Sequence, residues 1–313
     1  MISCSACGGG ATDNPTTDNG SMTDISSMSE LTDFSGTAEN TGAAATTNKK
    51  SNATYTGLAS LPEVKLTVAD PSNSKGLPTE KIEHSYGVAK DGKPHEISVN
   101  SEKFFESKNY KAVTYDTVSK DKRLYLTFDC GYENGYTAKI LDVLKEKKVK
   151  AAFFCTLDDI KSEPELIARM IKEGHIVGNH SSTHPSFPEL TRTEMAKEIE
   201  TCDNYLRTNF GYTSKYFRFP KGDYSECALD LVQSVGFASV FWSLSYADWD
   251  TNDQKGGDYA FDKVTSRLHS GAIILLHAVS ADNAEAMGRI IDYARSQGYE
   301  FYSLDDMPAL NKT

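Results

Sequence analysis

The sequence predicts a parallel α/β fold, a deformed (β/α)7 barrel, and three observations lead there. From Arg123 onward, short apolar or β-branched runs alternate with segments of helical periodicity. The alternation recurs about seven times, one short of the eight units of a regular barrel. Polar and ionisable residues gather at the C-terminal ends of the apolar runs, the edge at which parallel α/β folds carry chemistry. A doubly wound open sheet is the alternative topology.

The predicted strands are 124–129, 151–156, 176–180, 215–219, 238–244, 272–277 and 299–303. Helices are predicted between them. Residues 137–148 place Ile140, Leu141 and Leu144 on one face, with Thr137 as the N-cap. Residues 162–173 do the same with Leu166, Ile167, Met170 and Ile171, and Gly174 marks the stop. Residues 193–209, 225–235, 259–269 and 283–297 complete the set.

The chain before Arg123 differs in character. Residues 8–57 are dominated by Thr, Ser, Asn, Asp, Gly and Ala, too little apolar surface to offset chain entropy, so residues 1–57 read as a lipoprotein-type start and a disordered tether. Residues 58–120 carry turn signals such as Asp70-Pro71 and Asp91-Gly92 and read as a partly ordered lead-in, packing on the main domain from about His84. Residues 121–313 are the expected catalytic domain.

Bulk properties narrow the function classes. A formal charge of −11 speaks against binding nucleic acid or an anionic membrane, which needs a basic face. No run approaches the roughly 20 apolar residues that span a bilayer. The first residues nevertheless resemble the end of a bacterial lipoprotein signal, with Cys4 or Cys7 as the lipidated residue. The expected location is therefore outside the cytoplasm, at the cell surface or held to the membrane by lipid alone. Cys130, Cys155, Cys202 and Cys227 contain no CxxC pair, which argues against a zinc ribbon.

The predicted strand ends hold Asp129 and Cys130, His180 and His184, Arg218 to Gly222, Asp248 and Trp249, and His277. A packing role explains any one of these; it explains all five groups together poorly. His180 and His184 are four residues apart, so on a helical turn two imidazoles would share a face and grip one divalent metal, with Cys130 or Asp129 as a further ligand. Asp129 would act as general base, oriented by a bidentate Arg218. Asp248 would raise the pKa of His277 and prepare it to donate a proton. Trp249 offers an apolar wall to a sugar face or an acetyl methyl group. His84, His95, His175 and His269 read as structural.

The chain resembles the polysaccharide deacetylases of carbohydrate esterase family 4, the NodB-homology fold, over roughly 84–310. Five short motifs occur in the family's order. Thr127 to Gly131 matches Thr-Phe-Asp-Asp-Gly with Cys130 at the second acid. His180 and His184 match the metal-binding pair, and Arg218, Pro220 and Gly222 match the third motif. Asp248-Trp249 preserves part of the fourth, whose first position here is Ser245, and Leu275 with His277 matches the fifth. The resemblance implies Asp129 as base, Arg218 as its orienter, the Lys221 backbone N–H facing the oxyanion, and His277 as general acid. Longer stretches, Cys130 to Thr137, Phe241 to Ser243 and Leu276 to Ala286, look like the delta-lactam-forming muramic acid deacetylases. The implied activity is metal-dependent, zinc being expected, removal of N-acetyl groups from peptidoglycan. The rivals are a glycan-binding protein that has lost its chemistry and a deacetylase of chitin oligomers or acetyl xylan.

Overall fold

The computed structural model describes residues 54–311 except Tyr86. Cys4, Cys7 and the expected tether up to residue 53 lie outside the described residues. In chain order the elements are β1 (Ile82–Glu83), α1 (Glu96–Lys108), β2 (Ala112–Val113), β3 (Arg123–Cys130), α2 (Thr137–Lys147) and β4 (Ala152–Cys155). Next come α3 (Leu157–Ser162), α4 (Pro164–Lys172), β5 (Ile176–Asn179), α5 (Arg192–Phe210), β6 (Tyr216–Phe217) and β7 (Asp223–Tyr224). The chain ends with α6 (Glu226–Ser234), β8 (Ala238–Val240), α7 (Gly257–Thr265), β9 (Ala272–His277), α8 (Ala281–Ser296) and β10 (Glu300–Phe301).

The large sheet runs β10-β3-β4-β5-β6-β8-β2, with β9 also paired to β3, and every ladder in it is parallel. The sheet curls. Beyond β8 the chain reaches β9, where the Ser243 N–H donates to the Ile273 carbonyl at 3.0 Å and the Leu275 N–H to the Leu244 carbonyl at 2.9 Å. The expected deformed barrel, NodB-like in form, is therefore the fold observed. Each of the seven predicted strands has its counterpart.

Period-two alternation decides what each strand residue faces. On β3, Leu124, Leu126, Phe128 and Cys130 pack with Ile140, Leu144 and Ile290 of the surrounding helices. Tyr125 belongs to the opposite cluster, with Phe154, Phe217 and Ile273. Asp129 shares the parity of Tyr125, so the base candidate and the thiol beside it leave the strand on opposite sides.

Two local expectations are corrected. The helix over 162–173 is two helices, because Pro164 cannot continue the turn before it; it opens α4 instead, and Gly174 (φ 78°) does end that helix. Thr137 is the first helical residue rather than the cap, and Tyr136 holds the cap position without a side-chain bond. The lead-in also contains α1, whose weak apolar stripe hid it. Its Phe105 is buried and stacks on Phe241 with ring centroids 5.4 Å apart. Earlier in the same segment, β1 pairs antiparallel with β7, and the His84 N–H donates to the Gly222 carbonyl at 3.0 Å.

Candidate active site

Asp129 and His277 are direct register partners on neighbouring parallel strands, β3 and β9. A carboxylate and an imidazole therefore leave adjacent strand tips. Asp129 is only 9% exposed, and such a group needs a partner to stay charged.

Arg218, just past β6, is that partner and is completely buried. Its Nη1 donates to Asp129 Oδ1 at 2.8 Å, Nε to the Val240 carbonyl at 2.9 Å and Nη2 to the Phe241 carbonyl at 3.2 Å. The Phe154 ring lies against the guanidinium, 4.2 Å from carbon to centroid. Burial pushes the Asp129 carboxyl up, but the Arg218 charge, with smaller contributions from the neighbouring His180 and His277 rings, outweighs it and holds it below its ordinary value. Asp129 is therefore a carboxylate at neutral pH.

His180 follows β5. Its Nδ1 donates to the Arg218 carbonyl at 2.9 Å. A carbonyl only accepts, so the proton sits on Nδ1 and Nε2 presents a bare lone pair, 3.6 Å from Asp129 Oδ2. The His184 ring stands edge-on to His180, centroids 4.9 Å apart. The two do not meet on a helical turn, as their spacing predicts. Ser181 (φ 70°) and His184 (φ 58°) both take left-handed backbone, and the kink is held by Asn179 Oδ1 accepting from the Ser181 N–H and Ser181 Oγ from the His184 N–H. Burial depresses both imidazoles, His184 to about 3, so both are neutral, the form that ligates metal.

His277 Nδ1 donates to Asp248 Oδ1 at 2.7 Å, and the His277 backbone N–H donates to Oδ2 at 2.8 Å. Asn283, from the first turn of α8, donates to the same Oδ2 at 2.6 Å, and Tyr246 donates to Asn283 Oδ1 at 2.6 Å. Burial alone would lower the His277 imidazole; the charge and hydrogen bond of Asp248, with Asp129 behind them, outweigh it and raise it. Trp249, half-buried, meets the His277 ring edge-on at 6.0 Å.

The remaining motif residues build the floor and one wall. Leu275 is buried in the inner cluster, two residues before His277. Pro220 opens a single 3-10 turn to Gly222 in which Lys221 takes a left-handed φ of 59°, costing a side-chain-bearing residue roughly 1–2 kcal/mol. Gly222 follows at φ 73°, where a Cβ would stand 2.9 Å from Trp242 Cη2 and 3.2 Å from the His84 carbonyl oxygen.

Cys130 takes the other side of the strand. Its thiol is grouped with Cys155 and Asp159 instead of with the two imidazoles. Among the described residues these three form the one set of His, Cys, Asp or Glu ligand atoms that all lie within 4.8 Å of one another. The structure thus gathers Asp129, Arg218, His180, His184, Asp248 and His277. The residues that sequence reading passed over are mostly those that orient them. Asn283 and Tyr246 hold Asp248, and Phe154 and Trp242 flank Arg218. Their only sequence signal was nearness to a motif. His84, expected to be plain packing, reaches the Trp242 carbonyl at 2.8 Å behind the Gly222 turn.

Comparison with known proteins decides the family. A sequence profile of the polysaccharide deacetylases matches residues 116–240. The peptidoglycan-N-acetylmuramic acid deacetylase PdaA of Bacillus subtilis is 39% identical over 243 residues, 77% of this chain and 91% of that one. This chain belongs to the polysaccharide deacetylase family. As a member it is a polysaccharide N-deacetylase, a hydrolase. The peptidoglycan-N-acetylglucosamine deacetylase of Bacillus cereus is 31% identical over 188 residues, 58% of this chain and 66% of that one. The solved structure of Bacillus subtilis PdaA, a family 4 carbohydrate esterase, superposes with a TM-score of 0.71 at 40% identity, covering 74% of this chain and 98% of that one. A family 4 carbohydrate esterase from Bacillus anthracis superposes with a TM-score of 0.60 at 39% identity, covering 75% and 100%.

Proposed function

We propose that this deacetylase removes the N-acetyl group of N-acetylmuramic acid in peptidoglycan, with a divalent cation, zinc, held by His180 and His184. The observation that carries the chemistry is the Asp129–His277 register pair, which sets a charged carboxylate and a carboxylate-backed imidazole on neighbouring strand tips. The choice of muramic acid rests on the reach of the likeness: it runs over 77% of the chain with the muramic acid deacetylase and 58% with the glucosamine enzyme.

The residues fit a cation. Two neutral imidazoles, His180 buried and His184 half-buried, stand side by side, and the one proton that could block His180 Nε2 is committed to the Arg218 carbonyl. A cation bound there supplies Lewis acidity to the acetamide oxygen and to a water. Asp129 takes the proton from the attacking water, and Arg218 keeps that carboxylate charged and aimed. The Lys221 backbone N–H stabilises the oxyanion, and Trp249 lines the acetyl pocket. His277 Nε2 hands a proton to the leaving amine, since Nδ1 is engaged by Asp248. Acetate and a free amino sugar leave.

The substrate places the protein outside the cytoplasm, with the catalytic domain over 121–313, the lead-in bracing it and Cys4 or Cys7 as the lipid attachment point. The partner is a glycan strand, not nucleic acid. Mass analysis of muropeptides before and after incubation with zinc-loaded protein should show loss of one acetyl mass from muramic acid. Loss from glucosamine alone would overturn the muramic assignment, and no loss from either would overturn the reading.

The acid assignment has its own pH test. His277 is raised in the fold, so it carries its proton to higher pH and activity declines as pH rises through that value. Asp248→Asn removes the charge that raises it, and burial then dominates. The basic limb of kcat/KM should move to lower pH, cutting the rate at about pH 8 by roughly tenfold or more. An unmoved limb would mean that another group supplies the proton.

A further inference from the structure

We propose a second, structural metal site, formed by Cys130, Cys155 and Asp159 on the helix-facing side of the sheet and suited to zinc or a similar thiophilic divalent cation. Cys130 and Cys155 are register partners on β3 and β4, with side chains of the same parity, and both thiols are free and buried. Asp159 comes from α3, whose N-cap Thr156 directly follows β4. The three ligand atoms lie within 4.8 Å of one another.

The chemistry favours a cation over packing. Two thiols with one carboxylate are a soft-leaning donor set, whereas His180 and His184 with Asp129 offer none of these sulfurs. Zinc–sulfur bonds of about 2.3 Å in a tetrahedron put two sulfurs about 3.8 Å apart, so closing the site asks each ligand to move by less than about 1 Å. The Asp159 carboxyl group is buried and takes part in no salt bridge among the described residues, and the Cys130 and Cys155 sulfurs lie within 4.8 Å of its oxygen. Without a cation this buried carboxyl and the two thiols stay neutral by keeping their protons; a divalent cation is what would let all three ionise there together. Binding converts two thiols to thiolates and requires Asp159 as carboxylate, so both thiol protons and any proton held by Asp159 pass to solvent; a water completes the tetrahedron. The cation would tie the tips of β3 and β4 to α3, fixing the strand that carries Asp129. This site is independent of the proposed cation at His180 and His184.

Cobalt(II) titration of the full chain under reducing conditions tests it, in a Cys4→Ser, Cys7→Ser background so that the N-terminal thiols contribute nothing. Two equivalents are expected, one with a thiolate-to-cobalt charge-transfer band in the near ultraviolet. Cys155→Ser should abolish that band and one equivalent; Asp159→Asn, milder for folding, should weaken that equivalent at least tenfold. His184→Ala should instead remove the band-free equivalent, so failure of the catalytic-cation reading is separately visible. Absence of the band, its survival in Cys155→Ser, or a Cys130–Cys155 disulfide in the purified protein would overturn the proposal.

Discussion

Asp129→Asn is expected to reduce kcat for acetate release by roughly 10²–10⁴-fold while leaving a folded protein. The amide keeps the shape of the carboxylate and can still accept from Arg218 Nη1, so the local scaffold survives. What it cannot do is take a proton from water. The same change leaves the Arg218 guanidinium, completely buried, without its counter-charge. Exchanging this ion pair for a hydrogen bond to a neutral amide costs about 1.5–3 kcal/mol, less than removing either partner outright. Chemical denaturation should therefore show a modest loss of stability, near-ultraviolet circular dichroism should be retained, and KM should move far less than kcat. Turnover within a factor of a few of the parent would remove Asp129 from the base role.

The fold was legible because each strand-helix unit writes its own period, and because chemistry gathers at one end of parallel strands. The seven runs from Leu124 to Ser303 could be placed without knowing which neighbours they pair with. What the sequence hid follows from tertiary context. Helix α1 has only two deeply buried residues, Ser98 and Phe105, so its periodicity is faint. The two short left-handed kinks that join His180 to His184 look like helical spacing in a linear chain, and only the bonds from Asn179 and Ser181 tell them apart. The direction of Cys130 was readable in principle. Strand parity sends it opposite to Asp129, whereas the motif resemblance at that position implies a ligand facing the catalytic mouth. Asn283, at the start of a helix, looks like an ordinary polar first-turn residue until Asp248 is seen accepting from it.

Arg218→Ala should be the most damaging single change, and its pH dependence identifies the cause. Removing the guanidinium leaves the Asp129 carboxylate buried with only neutral imidazoles beside it at high pH, and breaking a buried pair in this way costs about 3–5 kcal/mol. In the parent, Asp129 is held below its ordinary value, so its contribution to stability is present above the unfolded carboxyl pKa and fades as pH falls through the folded one. In the variant burial dominates and the carboxyl rises, so charging it now opposes folding. The stability gap between parent and variant in urea should therefore be widest near neutral pH and narrow toward about pH 4. A gap that stays constant with pH would show that Arg218 acts through its carbonyl contacts, which do not titrate, rather than through Asp129. Activity should fall for the matching reason, because a protonated base cannot accept the water's proton until the pH is raised. Arg218→Lys should rescue little. Three donors, Nε, Nη1 and Nη2, serve three different acceptors in one plane, and an ammonium cannot span them.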